Sequence, residues 1–521
     1  MDTLFHRFAD KIKGILIGFD RIVFKGTIQN ICYPKGIEMF LNGHGVLNKD
    51  YKDWLMKQSA VIIKDAEDYS KSLKGKGIQY IASSSVRKET VAHEQQKMLG
   101  IQEGLIGVWS CVEACNTFKA DFDSEAGHPK IRAEKSRCKH LYFYYDHEDY
   151  GFMSIRLQTW APYEIQIALN GREWLKRSLD KSNSHYMLEG NKFLALEDYS
   201  LAQKFLDTQR HDTRWDDILS GFTAQAFPSM PALLGERMRY YWILWQSEVA
   251  KDYIFENPQV LEEQMGHLLR HAFITGTGDR VLRYFGRPVK DNGQPKTNTD
   301  TELCSRLKLW YNGGRIKHWV FKNCLKSYNE LNVLRFECTI NDPKKFSIIR
   351  TVSGDDSGEK KRLGMRKGIA DVYVRTQVSI DCINRFTEQV AALEDDTTVA
   401  EIISQVSKPV KSEGKRYRAL DVTGKDLELL RAIADPKYNV DPITNKHLQA
   451  ALKDTVWANK LEGKKLAARI SRQLRLFREQ GLIRKLPKQH KYTLTAKGRL
   501  LTTALNQFLG AKLSDLSQLS A

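Results

Sequence analysis

The chain has 521 residues, more than one hydrophobic core can organise, so roughly two to four domains are expected. Its 42% hydrophobic and 28% charged content is that of an ordinary globular protein and excludes a fibrous or disordered chain. The net charge of +18 points to a polyanionic partner, nucleic acid ahead of an anionic membrane surface, and no apolar run approaches the ~20 residues of a membrane helix.

The N-terminal MDTLFHRFADKIKG is amphipathic and lacks the apolar centre of a signal peptide, so a cytoplasmic location and no membrane partner are expected. Residues 14–31 (GILIGFDRIVFKGTIQNI) read as strand material with Asp20 and Arg21 in the middle. Residues 48–74 place Trp54, Leu55, Val61, Ile62 and Ala66 on one stripe and predict a helix. A short strand (IQYIASSS), a helix (RKETVAHEQQKML) and a strand (EGLIGVWSCVEACNTF) follow, which gives an α/β N-terminal domain over residues 1–125. Cys111, Cys115, Cys138 and His140, with His128 nearby, offer zinc-type donors within a short span, although the same thiols suit a buried strand.

Residues 121–137 are polar and turn-rich and read as a loop or boundary. The following HLYFYYDHEDYGFMSIRLQTWAPYEIQIALNGREWL reads as three strands and then a helix from Gly171. Residues 198–227 look helical. Residues 239–255, RYYWILWQSEVAKDYIF, form an aromatic-rich stretch carrying Glu248 and Asp252, which read as strand acids or as one helix face. A helix pair spans 258–287, and an exposed loop spans 288–302. HWVFKNCLKSY, the turn NELN and VLRFECTI make a hairpin. With a tight turn, partners whose numbers sum to 661 would place Lys326 opposite Arg335, Cys324 opposite Glu337 and Lys322 opposite Thr339. One carboxylate, Glu337, then shares a face with Lys322, Lys326 and Arg335, an arrangement that an anion such as phosphate would complete. A charged loop covers 353–368, and a helix runs to about 393. Together 138–393 form an α+β central domain with an antiparallel sheet, and 394–417 a linker.

The C-terminal domain, 418–521, reads as a winged helix-turn-helix. Leu466, Ile470, Leu474 and Phe477 make one buried stripe, and GLIRKLPKQHKYTLTAKGR gives strand, basic tip, strand and helix start. Between 461 and 500 there are twelve Lys or Arg and only two Glu, a match to nucleic-acid phosphates. The expected contacts are Lys464, Lys465, Arg469, Arg472, Arg475, Arg478, Arg484, Lys485, Lys488 and Lys491. LAARISRQLRLFREQGLIRKL and KYTLTAKGR resemble the winged-helix domains of MarR-type regulators.

No P-loop, nucleophile-elbow, HExxH or kinase signature is present. What remains is a set of acids on predicted strands from distant parts of the chain: Asp20, Glu248, Asp252 and Glu337. Metal-dependent nucleases assemble their ligands from such sets, and the cofactor expected here is Mg²⁺ or Mn²⁺. KSYNELNVLRFECTI, with GFMSIRLQTWAPYEIQIALNGREWL and RYYWILWQSEVA upstream, resembles the rolling-circle replication initiators of plasmids and filamentous phages over 140–342. That resemblance implies Glu337 as a metal ligand, Lys326 and Arg335 on phosphate, and Tyr328 or Tyr311 as the nucleophile on the DNA backbone. No His–hydrophobe–His pair is present, and Gln246-x-Glu248 stands where the initiators carry Arg-x-Asp.

The expectation is therefore a mixed α/β, multidomain, nucleic-acid-binding protein that nicks or transfers DNA strands with a divalent metal, as mobile-element initiators or transposases do. In a transposase-type variant, the Asp20 strand opens a ribonuclease H-like sheet. The alternative is a non-catalytic DNA- or RNA-binding protein, either a regulator or a component of an RNA–protein particle, whose aromatic strands stack bases or pack its core.

Overall fold

The computed structural model describes residues 2–71, 77–211, 213–276, 278–287, 303–351, 359–391, 399–412, 414–435, 438, 442–486 and 489–510. The chain divides into two compact units: residues 12–261 with 322–381, and residues 1–11 with 262–321 and 382–521.

The first unit is built on one mixed sheet. Its strands are β1 (Ile12–Thr27), β2 (Gln79–Tyr80), β3 (Gly104–Asp123), β4 (His128–His147), β5 (Gly151–Gln158), β6 (Ile165–Asn170) and β9 (Tyr241–Phe255), with a small hairpin, β7 (Tyr186–Glu189) and β8 (Lys192–Leu196), between the last two. After β10 (Leu303–Trp310) and β11 (Gly313–Val320), which belong to the second unit, come β12 (Asn323–Glu330) and β13 (Val333–Ile340). The order within the first unit is β12-β13-β9-β1-β6-β5-β4-β3-β2, antiparallel throughout except for the parallel β2–β3 pair. The long β1 is central, pairing β6 along one edge and β9 along the other. Leu16 packs with Leu175, Leu179, Ala202 and Leu206 of the overlying helices.

The helices are α1 (Thr3–Arg7), α2 (Pro34–Gly43), α3 (Tyr51–Lys71), α4 (Lys88–Leu99), α5 (Gly171–Lys181), α6 (Tyr199–His211), α7 (Trp215–Ala226) and α8 (Met230–Leu234), followed by α9 (Pro258–Thr275) and α10 (Gly278–Tyr284). The helices expected over 48–74 and 258–287 thus form, although in the first the buried stripe keeps Leu55, Ile62 and Ala66 and leaves Val61 exposed. Asn170 starts α5: its side chain accepts hydrogen bonds from the backbone N–H of Arg172 and Glu173. Gly171 is required by packing, because a Cβ there would lie 2.3 Å from the Phe19 carbonyl oxygen. The start of α5 is therefore pressed onto β1 beside Asp20.

Four sequence expectations are corrected. The loop or boundary at 121–137 is instead the end of one long hairpin: β3 and β4 pair from Gly104↔Asp146 to Asp123↔His128, so the sheet runs through the boundary expected at 125. In the β12–β13 hairpin, partners sum to 663: Glu330 faces Val333, Lys326 faces Glu337, and Tyr328 faces Arg335. The turn is only Leu331–Asn332, with Leu331 at φ 52°, so Asn329 and Glu330 stay in the strand. Because the change is an even number, every side chain keeps its face. The 394–417 segment, expected as a linker, holds α12 (Val399–Val406) after α11 (Val372–Ala391), and a short hairpin at 410–417. The loop expected at 353–368 is partly the Ser347–Thr351/Lys360–Gly364 hairpin. The 288–302 loop lies outside the described residues.

In the second unit, α13 (Leu427–Ile433), α14 (Asn445–Leu452), α15 (Gly463–Glu479) and α16 (Ala496–Gly510) enclose a core containing Leu429, Leu448, Leu466, Ile470, Leu474, Phe477 and Leu501. The strands Ile483–Lys485 and Lys491–Leu494 pair after α15, and the second also pairs Ile443–Thr444. The α15 stripe read from sequence is the buried one. Among the described residues, no helix is long and apolar enough to cross a membrane.

Candidate functional site

Antiparallel pairing sets Glu337 of β13 beside Ala250 of β9, Thr339 beside Glu248, and Arg335 beside Asp252. All of these side chains share one face of the sheet, because residues two apart on a strand point the same way. On the other side of β9, Phe19 pairs with Val249 and Arg21 with Glu248, leaving Asp20 as an extra residue in a β-bulge. A bulge re-aims its side chain, and this one turns the Asp20 carboxylate towards the acids of β9 and β13. Ligand oxygens of Asp20, Glu248 and Glu337 lie within 4.8 Å of one another. Among the described residues, this is the one cluster of metal-type donors close enough to hold an ion.

The cations around the cluster divide into two sets. Arg335 is buried and clamps Asp252, with Nε donating to Oδ1 at 2.5 Å and Nη2 to Oδ2 at 2.9 Å. Its Nη1 lies 3.4 Å from Asp20 and 3.6 Å from Glu337. Arg172, from the first turn of α5, adds a second ion pair to Asp252 at 2.9 Å. Burial alone would raise the Asp252 carboxyl, but the two guanidinium groups outweigh it and hold the group below its ordinary range. Lys326 forms the second set: its ammonium bridges Glu248, at 2.8 Å, and Glu337. Tyr328 donates its hydroxyl proton to Glu337 at 2.7 Å, and burial raises its own pKa. Asn191, at the tip of the β7–β8 hairpin, donates to Asp20 at 2.5 Å, while its carbonyl accepts from Arg335. Burial, reinforced by Glu248 and Asp252 against Arg335 and Arg172, keeps the Asp20 carboxyl above its ordinary range.

Asp20 and Glu248 open onto a cavity of about 480 Å³, which Arg21, Glu89, His93, Phe152 and Glu173 also line. Three carboxylate oxygens fit a hard divalent cation such as Mg²⁺ or Mn²⁺ better than zinc. The spacing fits too, since ligands on opposite sides of a cation with ~2.1–2.4 Å bonds are roughly 4–5 Å apart.

The expected site residues therefore separate. Glu337, Glu248, Asp20, Lys326 and Tyr328 come together. Asp252, expected as a metal ligand, is instead the counter-ion of two buried arginines. Arg335, expected on phosphate, has no exposed surface and is spent on Asp252. Lys322 is exposed just before β12. Tyr311 sits fully exposed on the β10–β11 turn of the other unit, and Tyr328 is the tyrosine bonded to Glu337. Cys111, Cys115, Cys138 and His140 line neighbouring strands as buried core: Cys111 faces His140, Cys115 faces Ser136, and burial lowers the His140 pKa to about 4. Cys138 hydrogen-bonds Cys115 and its Sγ lies 4.0 Å from His140 Nδ1, but no three of these donors come close enough together to hold an ion.

On α15 and the strands after it, Lys464, Lys465, Arg472, Arg475, Arg484, Lys485 and Lys491 are exposed. Arg469 instead stacks on Trp457 at 4.5 Å, and Arg478 pairs with Glu479. Lys488 lies outside the described residues. Sequence reasoning missed Arg172 and Asn191. Neither carries a local signal, because each acts on a residue far away in the chain. No protein-family model, curated protein or solved structure matches this chain.

Proposed function

We propose that the chain is a divalent-cation-dependent enzyme that processes phosphodiesters in DNA, nicking or transferring a strand as replication initiators and transposases do. The convergence of Asp20, Glu248 and Glu337 from three adjacent strands carries this reading. Bound there, a divalent cation would polarise the scissile phosphate and stabilise the leaving oxygen. Tyr328 is the nucleophile: its Oη forms the bond to phosphorus, the bond to one sugar oxygen breaks, and its proton passes to Glu337. Arg335, Arg172 and Asp252 hold the strands in register without touching substrate. The domain from 418 onwards acts as a winged helix whose exposed α15 and hairpin cations meet duplex phosphates, in keeping with the net charge of +18.

A second reading, a non-catalytic nucleic-acid-binding protein, is favoured by one observation: Lys326 already compensates Glu248 and Glu337. End-labelled single- and double-stranded DNA carrying the flanks of its gene, incubated with Mg²⁺ or Mn²⁺ and then with EDTA, separates the two. Metal-dependent nicks are expected, abolished in Glu337→Ala, with a protein–DNA adduct absent in Tyr328→Phe. Binding without cleavage under every condition supports the second reading.

A further inference from the structure

The β1–β9 ladder contains another bulge that the acid cluster does not use. Val23 pairs with Gln246 and Phe24 with Leu244, so Trp245 is the extra residue, this time on β9. An extra residue leaves the pleat, and Trp245 is 41% exposed although its strand runs through the middle of the sheet. A tryptophan left in water on a strand is unusual, because burying its large ring is strongly favourable. Two lysines flank it. The ammonium of Lys25 lies 5.2 Å from the indole centroid, and that of Lys367 lies 5.0 Å away. Both are fixed by backbone pairing: Lys25 faces Ile243, and the Lys367 carbonyl accepts from the Leu244 N–H at 2.8 Å. Lys25 also pairs with Glu164 at 2.7 Å. Burial together with the charges of Arg375, Lys344 and Lys322, only partly offset by Asp342, disfavours the charged form of Lys367. The surroundings of Trp245 therefore hold more positive charge than their acids balance. Tyr241, 49% exposed, precedes Trp245 by four residues on the same strand.

We infer that Trp245, with Lys25 and Lys367, is a docking platform for an unpaired DNA strand: one base stacks on the indole and the flanking phosphates take the two ammonium groups. The observations favour a single strand because a flat exposed ring can pair only with an exposed base face, which a duplex hides. The lysine–indole contacts are weak at an exposed site, and long lysine stems let the ammonium groups swing to phosphate. Trp245 is three residues from Glu248 along β9, about 10 Å at the rise of a strand. A strand held on the platform therefore passes near the acid cluster. This inference rests on the reading of DNA as the partner, but not on cleavage.

The test is fluorescence anisotropy of the full chain in EDTA, with a labelled single-stranded oligonucleotide of mixed sequence and with its duplex, across a salt series. Trp245→Ala is expected to weaken single-strand binding roughly 5- to 100-fold and leave duplex binding unchanged, while Trp245→Phe keeps most of the affinity. Lys25→Gln combined with Lys367→Gln is expected to lower the single-strand salt slope by about 1.4. Binding read in EDTA needs no metal, and nicking of the same oligonucleotide in Mg²⁺ is scored separately, so the two readings fail separately. The platform is overturned if a folded Trp245→Ala protein binds single strands as tightly as the wild type, if it loses duplex and single-strand binding equally, or if the wild type does not bind single strands at all.

Discussion

At the scale of single residues, the site is a problem of charge compensation. Asp252 is fully enclosed between Arg335 and Arg172, so Asp252→Asn leaves two guanidinium groups in the interior with one neutral amide between them. Removing one partner of a buried pair costs about 3–5 kcal/mol, and chemical denaturation of the variant should show a loss of that order. Glu113 gives a pH-dependent counterpart away from the site. Burial alone would raise its carboxyl, but hydrogen bonds from Lys88 and Tyr142 and the charge of Arg156 prevail and hold it at about 2. A carboxyl whose pKa is depressed by folding stabilises the fold above its unfolded value of 4.5, and that contribution is lost as pH falls towards 2. Glu113→Gln should therefore cost about 2–3 kcal/mol at neutral pH, and its melting temperature should approach that of the wild type between pH 5 and pH 3. Glu337 and Lys326 were legible in the sequence because strict alternation put both on one strand face. The burial of Arg335 was not, since alternation says which face a residue takes and nothing about what covers that face.

At the scale of elements, the acid cluster depends on one irregularity in the β1–β9 ladder. The Asp20 bulge is held by the start of α5, where Gly171 lets the helix backbone meet the Phe19 carbonyl. Gly171→Ala forces the two elements apart, and Arg172 and Asn170 move with them. The expected result is a loss of about 1–3 kcal/mol, as for overpacking elsewhere, together with weaker divalent-metal binding by calorimetry. Unchanged metal affinity would show that the bulge holds Asp20 without α5. Strand identity was legible for β1, β12 and β13, whereas the acids of β9 read equally as one face of a helix. The hairpin register was not, because the turn places Leu331 in a left-handed conformation that sequence rules reserve for Gly, Asn or Asp. Bulges leave no sequence mark, because the extra residue is defined only by its partner strand.

At the scale of the whole molecule, the unit carrying the acid cluster should respond to metal and the basic C-terminal region to salt. Mg²⁺ or Mn²⁺ at a hundred times its dissociation constant should stabilise the unit that contains the cluster by about 2.7 kcal/mol. The thermal shift should disappear in Glu337→Gln, and a shift that survives would place the cation elsewhere. The sequence by itself determined the strong positive charge, the absence of a membrane-length apolar run, the buried stripe of α15 and the alternating faces of the strands. These are local or additive properties, readable wherever the chain happens to fold. Only the tertiary structure decided which acids meet. Asp20 and Glu248 are 228 residues apart, Glu248 and Glu337 are 89 apart, and strand order and one bulge bring the three together. Asp252, four residues from Glu248 and equal to it in every sequence signal, goes to the arginines instead, because Arg335 faces it across the ladder and α5 brings Arg172 onto it.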